Sequence, residues 1–388
     1  MNPLAAWQVE LGRQLEALEV AGLRRRRELG CGIDFCSNDY LGFGRDLELA
    51  QAIGKRIAEV AGSDPAALFS PASRLLRGET LLHRSVEARL ARFKGAEAAL
   101  LFPSGYQANL ALLTAILGPQ DRALSDELNH ASLIDGLRLS GCQRSVVPHL
   151  DLRAYELALA APHSGGRTAV VVESLFSMDG DTTPLVALAE LCEHYGALLV
   201  VDDAHATGIF GDQRLSGRIE SQGLERRVAA SVTTFGKALA TQGACIAGSR
   251  VLVDWIVNRA RPFIFSTAVS PLLLLALEAS LEHLAEHPER APGVRARAAL
   301  LRRRLGELGV EVVEGDSPIV PVVLGGNRRA MAVAETVRSE GFDVRAVRPP
   351  TVPEGTARLR ISVHCDHSVA EIEQLASAIG RAIEQVAA

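Results

Sequence analysis

At 388 residues, with 48% hydrophobic and 22% charged residues, the chain has the composition of an ordinary soluble globular protein, long enough for two domains. A formal net charge of −5 and a pI near 6.1 give it no global attraction for nucleic acid or for an anionic membrane. Six cysteines without a Cys-x-x-Cys pair argue against a zinc ribbon or a disulfide framework and read as reduced core residues.

In chain order, Leu4, Trp7, Leu11, Leu15, Leu18 and Leu23 stand at helical spacing among charges, which predicts an amphipathic helix leaning on something larger and broken at Gly30. The opening stretch lacks the apolar core of a signal peptide, and no apolar run is long enough to span a bilayer, so the expected location is cytoplasmic. Ile33 begins a short strand that ends in Asn38-Asp39 turn chemistry. Leu47 to Ala61 and Glu79 to Phe93 read as helices around a loop at 62–76. Ala98 to Phe102 is a buried strand delivering Pro103-Ser104-Gly105-Tyr106 and then an apolar helix, an order that aims backbone N–H groups at an anion.

Beyond Asp121 the pattern is the βα alternation of a mostly parallel sheet. Thr168 to Glu173, Ala197 to Asp202, Val228 to Thr234 and Ala244 to Gly248 read as strands. The two apolar strands among them that end at Glu173 and Asp202 run into polar residues where open α/β sheets bind ligands. Leu272 to His287 and Glu289 to Leu308 are helical, and 317–324, 343–346 and 357–362 are strands between helices. The expected organisation is an N-terminal arm over 1–45, a large domain over 46–284 and a smaller α+β domain over 285–388. The arginine runs at 24–27 and 302–304 read as solvated helix faces.

Lys237 stands out because only three of the 41 Lys and Arg residues are lysines. A guanidinium stays protonated, whereas an amine in a suitable pocket can lose its proton and attack a carbonyl. Upstream, Asp202-Asp203-Ala204-His205 closes a strand with an acid able to hold a heteroaromatic nitrogen protonated and a histidine able to reach the same ring. No second histidine or carboxylate cluster at ligand spacing supports a metal reading of that pair. With a phosphate-sized turn at Gly105 and hydroxyls at Thr233 and Thr234, one molecule accounts for the set. An aldehyde for Lys237, a pyridinium for Asp202 and a phosphate for Thr234 describe pyridoxal 5′-phosphate (PLP).

At this point the chain resembles the α-oxoamine synthases, PLP enzymes of fold type I. The matching stretches are Asn38-Asp39-Tyr40-Leu41-Gly42, Phe102 to Gly105, Asn129 to Gly136, Phe176 to Asp181, Asp202 to His205, Thr234 to Lys237 and Arg348 to Pro353, in family order. The resemblance implies an α/β PLP-dependent transferase fold of type I, a large domain with a mostly parallel sheet plus a smaller C-terminal α+β domain. It implies that Lys237 is the Schiff-base lysine, that Asp202 meets the pyridine nitrogen and His205 the phenolic oxygen, and that His130 stacks on the ring. Gly105, Tyr106 and Thr234 would hold the phosphate, with Ser266 and Thr267 reaching across from a second subunit of a homodimer; Ser177 would touch the cofactor. Arg360 would clamp the amino-acid carboxylate, and Arg24 and Thr351 would meet the acyl substrate.

The expected reaction is decarboxylative condensation of L-alanine with a pimeloyl thioester, carried by coenzyme A or by an acyl carrier protein; a glycine-using member of the family is the alternative. A plain aminotransferase would leave the His130 segment and Arg348-Pro349-Pro350-Thr351 without a purpose. Two departures from the expected pattern stand at Ser70 to Arg77, where some of the family's glycine is replaced, and at Ala206, where members with the expected reaction commonly have glycine and related members tolerate alanine.

Overall fold

The computed structural model describes residues 2–163 and 165–387 and divides them into two compact units. One comprises Asn38–Ser177 and Asp181–Arg295; the other comprises the chain up to Ser37, Met178–Gly180 and everything from Ala296 onward.

The first unit is built on seven strands in the spatial order Ala98–Phe102, Ala244–Gly248, Ala230–Thr234, Leu198–Asp202, Thr168–Glu173, Arg122–Asp126, Gln143–Val147. All run parallel except Ala244–Gly248, which is antiparallel to both neighbours. Side chains on a strand alternate faces, and both faces here are covered. Ala169 and Val171 therefore pack with helices Gly105–Ile116, Ala131–Ser140 and Arg250–Arg259, while Val170 and Val172 pack with Leu152–Ala160 and Leu185–Tyr195. Each fully buried valine or leucine of this kind contributes roughly 1.5–3 kcal/mol. Local sequence sets the helix ends: Thr80 accepts the N–H of His83 at 3.3 Å to start Leu81–Lys94, and Gly95, at φ +65°, stops it.

The second unit has an antiparallel sheet in the order Ala346–Val347, Ala357–Ser362, Ile319–Gly325, with helices Asn327–Ser339 and Val369–Ala387. Ile33–Asp34 pairs in parallel with Phe342–Asp343, which is why the N-terminal segment groups with C-terminal residues. The single strand expected over 343–346 is two short ones, because the chain changes partners between Asp343 and Ala346. His367 stacks on Phe35 with centroids 3.8 Å apart and donates from Nε2 to Asp34 O at 2.9 Å, fastening the same junction.

Several local expectations change. The N-terminal helix is Pro3–Val20, ended by Gly22 at φ +66° rather than by Gly30, and none of its residues is buried; Trp7 is 60% exposed. Arg24 to Arg27 follow that helix in irregular chain instead of lining its face. Arg302 is half-buried rather than on a solvated face: it donates to the carbonyls of Val313, Ser317 and Ile319, and burial lowers its pKa. The 62–76 loop contains a 3-10 turn, Pro65–Leu68, with Asp64 accepting from Ala66 N at 3.2 Å. Of the six cysteines, Cys192 and Cys245 are core residues and Cys31 is exposed; all are free thiols. Among the described residues no helix is long and apolar enough to cross a membrane.

Candidate active site

Glu173, Asp202 and Thr234 are the last residues of three adjacent strands. Apolar side chains hold each strand in the sheet, and its end releases a polar side chain at the carboxyl edge. Ser104 caps the helix Gly105–Ile116 by accepting from Gln107 N at 3.2 Å, and His130 caps Ala131–Ser140. Lys237 follows Thr234 in a turn closed by Ala240 N to Lys237 O at 2.8 Å. These elements enclose a cavity of about 290 Å³ lined by Gly105, Tyr106, His130, Asp202, His205, Thr234 and Lys237, the sequence candidates, together with Asn38, Asn109, Ser132 and Glu173.

Hydrogen bonds set each group. Asp202 Oδ2 accepts from Asn109 Nδ2 at 2.7 Å and Oδ1 from Ala204 N at 3.0 Å. His205 Nδ1 lies 2.8 Å from the Tyr40 hydroxyl. Tyr106 donates its hydroxyl to Asp135. Thr234 Oγ1 is buried with no hydrogen-bond partner among the described residues, beside a helix start where Gly105 leaves no room for a Cβ, which would come 2.4 Å from Thr234 Cγ2. Unmet hydroxyl and helix N-terminus together suit an anion.

Glu173 is strongly perturbed. Burial first, and then the negative charge of Asp202, pushes it up to about 8 against the pull of Lys237 and the N–H groups of His130 and Ser177. Desolvation and the Lys237 charge lower His130, with Asp202 opposing.

The three lysines have three fates. Lys55 pairs loosely with Glu59 on the surface, 3.9 Å away. Lys94 is buried, 2.8 Å from Asp203, and only Lys237 faces the cavity. Ser177 is buried and serves Glu173 through its backbone. Ser266 and Thr267 do not line the cavity in the chain described; Ser266 Oγ accepts from Gln107 Nε2 at 3.5 Å.

The remaining candidates belong to the other unit. Arg24 and Thr351 line one arginine-rich groove of about 460 Å³, where Thr351 accepts from Arg25 at 3.0 Å and Arg24 lies 3.4 Å from Glu19. Arg360 is buried on strand Ala357–Ser362, donating to Ser362 Oγ at 2.7 Å. Gly180 of the Phe176–Asp181 stretch has φ +71°, and a Cβ there would lie 2.7 Å from both Ile319 O and Ser317 Oγ, so only glycine fits.

Two groups have the composition of metal sites, Glu48/His283/His287 and His364/Asp366/His367. In the second, His367 has both ring nitrogens committed, accepting from His364 N at 3.0 Å and donating to Asp34 O at 2.9 Å, so it reads as a satisfied core histidine. In the first, His283 Nε2 is engaged with Asp46 at 3.0 Å.

Away from the residues lining the cavity, His149 lies between Asp126 and Asp181, each 2.8 Å away. Desolvation disfavours its charge, yet the two carboxylates outweigh it and raise its pKa to about 10. A histidine raised above its unfolded value of about 6.5 contributes fully below that pH and loses its contribution as pH climbs through 10. His149→Asn should therefore destabilise by about 1–3 kcal/mol near pH 6. Urea unfolding at several pH values should show that difference shrinking between pH 6.5 and 10; a difference independent of pH would mean the ring is not charged.

Comparison with known proteins decides the family. The model for aminotransferase class I and II matches residues 32–379. The 8-amino-7-oxononanoate synthase of Anaeromyxobacter dehalogenans is 43% identical over 95% of this chain and 94% of its own length. The chain belongs to the aminotransferase class I and II family as an α-oxoamine synthase similar to the 8-amino-7-oxononanoate synthases. Among solved structures, a serine palmitoyltransferase from S. paucimobilis with bound PLP–myriocin aldimine superposes with TM-score 0.89 at 25% identity, covering both chains completely. The 8-amino-7-oxononanoate synthase of Francisella tularensis gives 0.78 at 25% identity over 92% of this chain and 99% of that one. The fold is thus the type I fold of PLP-dependent enzymes.

Within this α-oxoamine synthase, sequence reading missed Asn109, Ser132 and Glu173. Glu173 had a usable signal, since it ends its strand just as Asp202 does. Ser132 lies two residues from His130, its partner, and Asn109 had no signal beyond lying near Gly105, because its partners Ser132 and Asp202 are 23 and 93 residues away.

Proposed function

We propose that the protein condenses L-alanine with a pimeloyl thioester, releasing CO₂ and the free thiol and forming 8-amino-7-oxononanoate. The protein is a PLP-dependent acyltransferase. The observation that carries this reading is that Lys237, Asp202 and the unpartnered Thr234 hydroxyl open on one cavity. That donor set fits PLP at its aldehyde, its ring nitrogen and its phosphate. When bound, the cofactor supplies an electron sink for a carbanion at the amino-acid α-carbon.

The chain's residues do the rest. Lys237 Nζ would hold the cofactor and afterwards take the proton from the α-carbon. Asp202, fixed by Asn109 and the Ala204 N–H, would keep the cofactor's ring nitrogen protonated, and His205, beside the Tyr40 hydroxyl, would hold its phenolic oxygen. His130 would hold the ring and orient the substrate. Thr234, Gly105 and Tyr106 would hold the phosphate, joined by Ser266 and Thr267 from a second copy in a homodimer. Arg360 holds the alanine carboxylate, and Arg24 and Thr351 receive the acyl donor. Fixing both substrates in one orientation removes most of the entropic barrier to joining alanine's α-carbon to the thioester carbonyl. The relatives named 8-amino-7-oxononanoate synthase support this choice of substrates.

A product assay tests it, offering alanine and glycine with pimeloyl and shorter acyl groups on coenzyme A and on a carrier protein. Alanine with the pimeloyl donor should give the amino ketone at the highest kcat/KM. Turnover with glycine but not alanine would overturn the substrate assignment while leaving the family intact.

A further inference from the structure

His130 caps its helix, and its Nδ1 faces inward to Ser132, with Oγ at 2.7 Å and the Ser132 backbone N at 3.2 Å. Ser132 Oγ is also 2.8 Å from Asn109 Nδ2, and the same nitrogen is 2.7 Å from Asp202 Oδ2. Asn109, Ser132 and Asp202 are all buried.

The direction of every bond in this chain follows from its two ends. A carboxylate only accepts, so the asparagine must turn its NH₂ group toward Asp202. The second hydrogen of that group then points at Ser132 Oγ, which has to accept it. The serine's own hydrogen is left for His130 Nδ1, and the Ser132 N–H is aimed at the same atom. A ring nitrogen receiving two donors carries no proton. The neutral imidazole must therefore be protonated on Nε2, for which the described residues offer no hydrogen-bond partner. Buried chains of this kind hold one arrangement because each member leaves its neighbour a single role.

We propose that Asn109 and Ser132 are positioning residues which use the Asp202 carboxylate to lock His130 as the Nε2–H tautomer, making it a fixed hydrogen-bond donor to the reacting substrate. One carboxylate thus sets two groups, the cofactor nitrogen directly and the histidine by relay. The functional half rests on the proposed role of His130; the tautomer itself does not.

The test is nitrogen NMR of protein labelled with ¹⁵N-histidine, with His130 assigned by comparison with His130→Gln. It is run on the PLP-free and PLP-loaded protein near neutral pH. Nδ1 should be bare and Nε2 protonated in wild type, a measurement that needs no variant to fold. Asn109→Asp replaces the donor by an acceptor, so Ser132 should turn its hydrogen to the new carboxyl, leaving Nδ1 with the Ser132 N–H alone and mixing the two tautomers. Ser132→Ala should mix the tautomers and lower kcat by about tenfold to a hundredfold, the range typical for losing a group that orients a functional histidine. KM for the acyl thioester should change little, and Ser132→Thr, which keeps the hydroxyl, should restore the wild-type tautomer. A wild-type ring protonated on Nδ1, or a tautomer unmoved by Asn109→Asp, overturns the relay. The expected tautomers with undiminished kcat in Ser132→Ala would keep the relay and remove His130 from the reaction.

Discussion

Lys237→Ala should lower turnover by about 10⁴-fold or more, the scale expected when a residue acting at the reacting atoms is removed. One amine is asked to do two things, to hold the cofactor covalently and to move the proton at the substrate's α-carbon. No other lysine can substitute, since Lys55 is on the surface and Lys94 is locked to Asp203. Asp202, His205 and the Thr234 cradle remain in the variant, so PLP should still bind, without the visible absorption of a lysine-linked cofactor. Lys237→Arg should be nearly as inactive, because a guanidinium does not give up its proton. Absorption spectra and steady-state rates on the purified variants check both; an unchanged spectrum with unchanged turnover would remove Lys237 from the chemistry.

Lys94→Met should destabilise the fold by about 3–5 kcal/mol, the usual penalty for stripping one partner from a buried ion pair. The Lys94 ammonium lies 2.8 Å from Asp203 Oδ2 and 2.5 Å from Ser216 O, and the two charged side chains are 1% and 0% exposed. Around them Asp203 accepts from Ser174 Oγ at 2.6 Å and from Arg218 N at 3.1 Å, and at Gly217 a Cβ would come 1.9 Å from its carboxylate. Because Asp203 adjoins Asp202, the loss should reach the cavity and reduce activity as well. Pairing Lys94→Met with Asp203→Asn should recover part of the stability, since no unpaired charge is then buried. Chemical denaturation of the three proteins measures this, and a single variant as stable as wild type would show that the pair is not a structural requirement.

Lys94 also shows how far a sequence argument from rarity reaches. Scarcity alone marked three lysines equally. What separated Lys237 was its neighbourhood, a hydroxyl-bearing strand end, a glycine and an aspartate–histidine stretch upstream, and those are local features. Scarcity could not reveal that Lys94 is needed for a different reason, because its partner is 109 residues away. The arginine run at 302–304 shows the same limit, since Arg303 is exposed as its charge suggests while Arg302 is half-buried against three carbonyls.

The alternation of apolar strands with helices determined the parallel sheet, and polar residues at the ends of those strands determined which edge would carry the chemistry. Both are written in consecutive residues, since side-chain periodicity and capping act over a few positions. The motif set, read residue by residue, determined the family. Only the tertiary structure decided that Asn109, Ser132 and Glu173 stand beside Asp202 and His130, that Thr234 keeps an unmet hydroxyl, and that His149 is held between two aspartates. Each of these depends on groups far apart in the chain being brought within hydrogen-bond reach away from water, where an unpaired polar atom is costly and a hydrogen bond can run in only one direction.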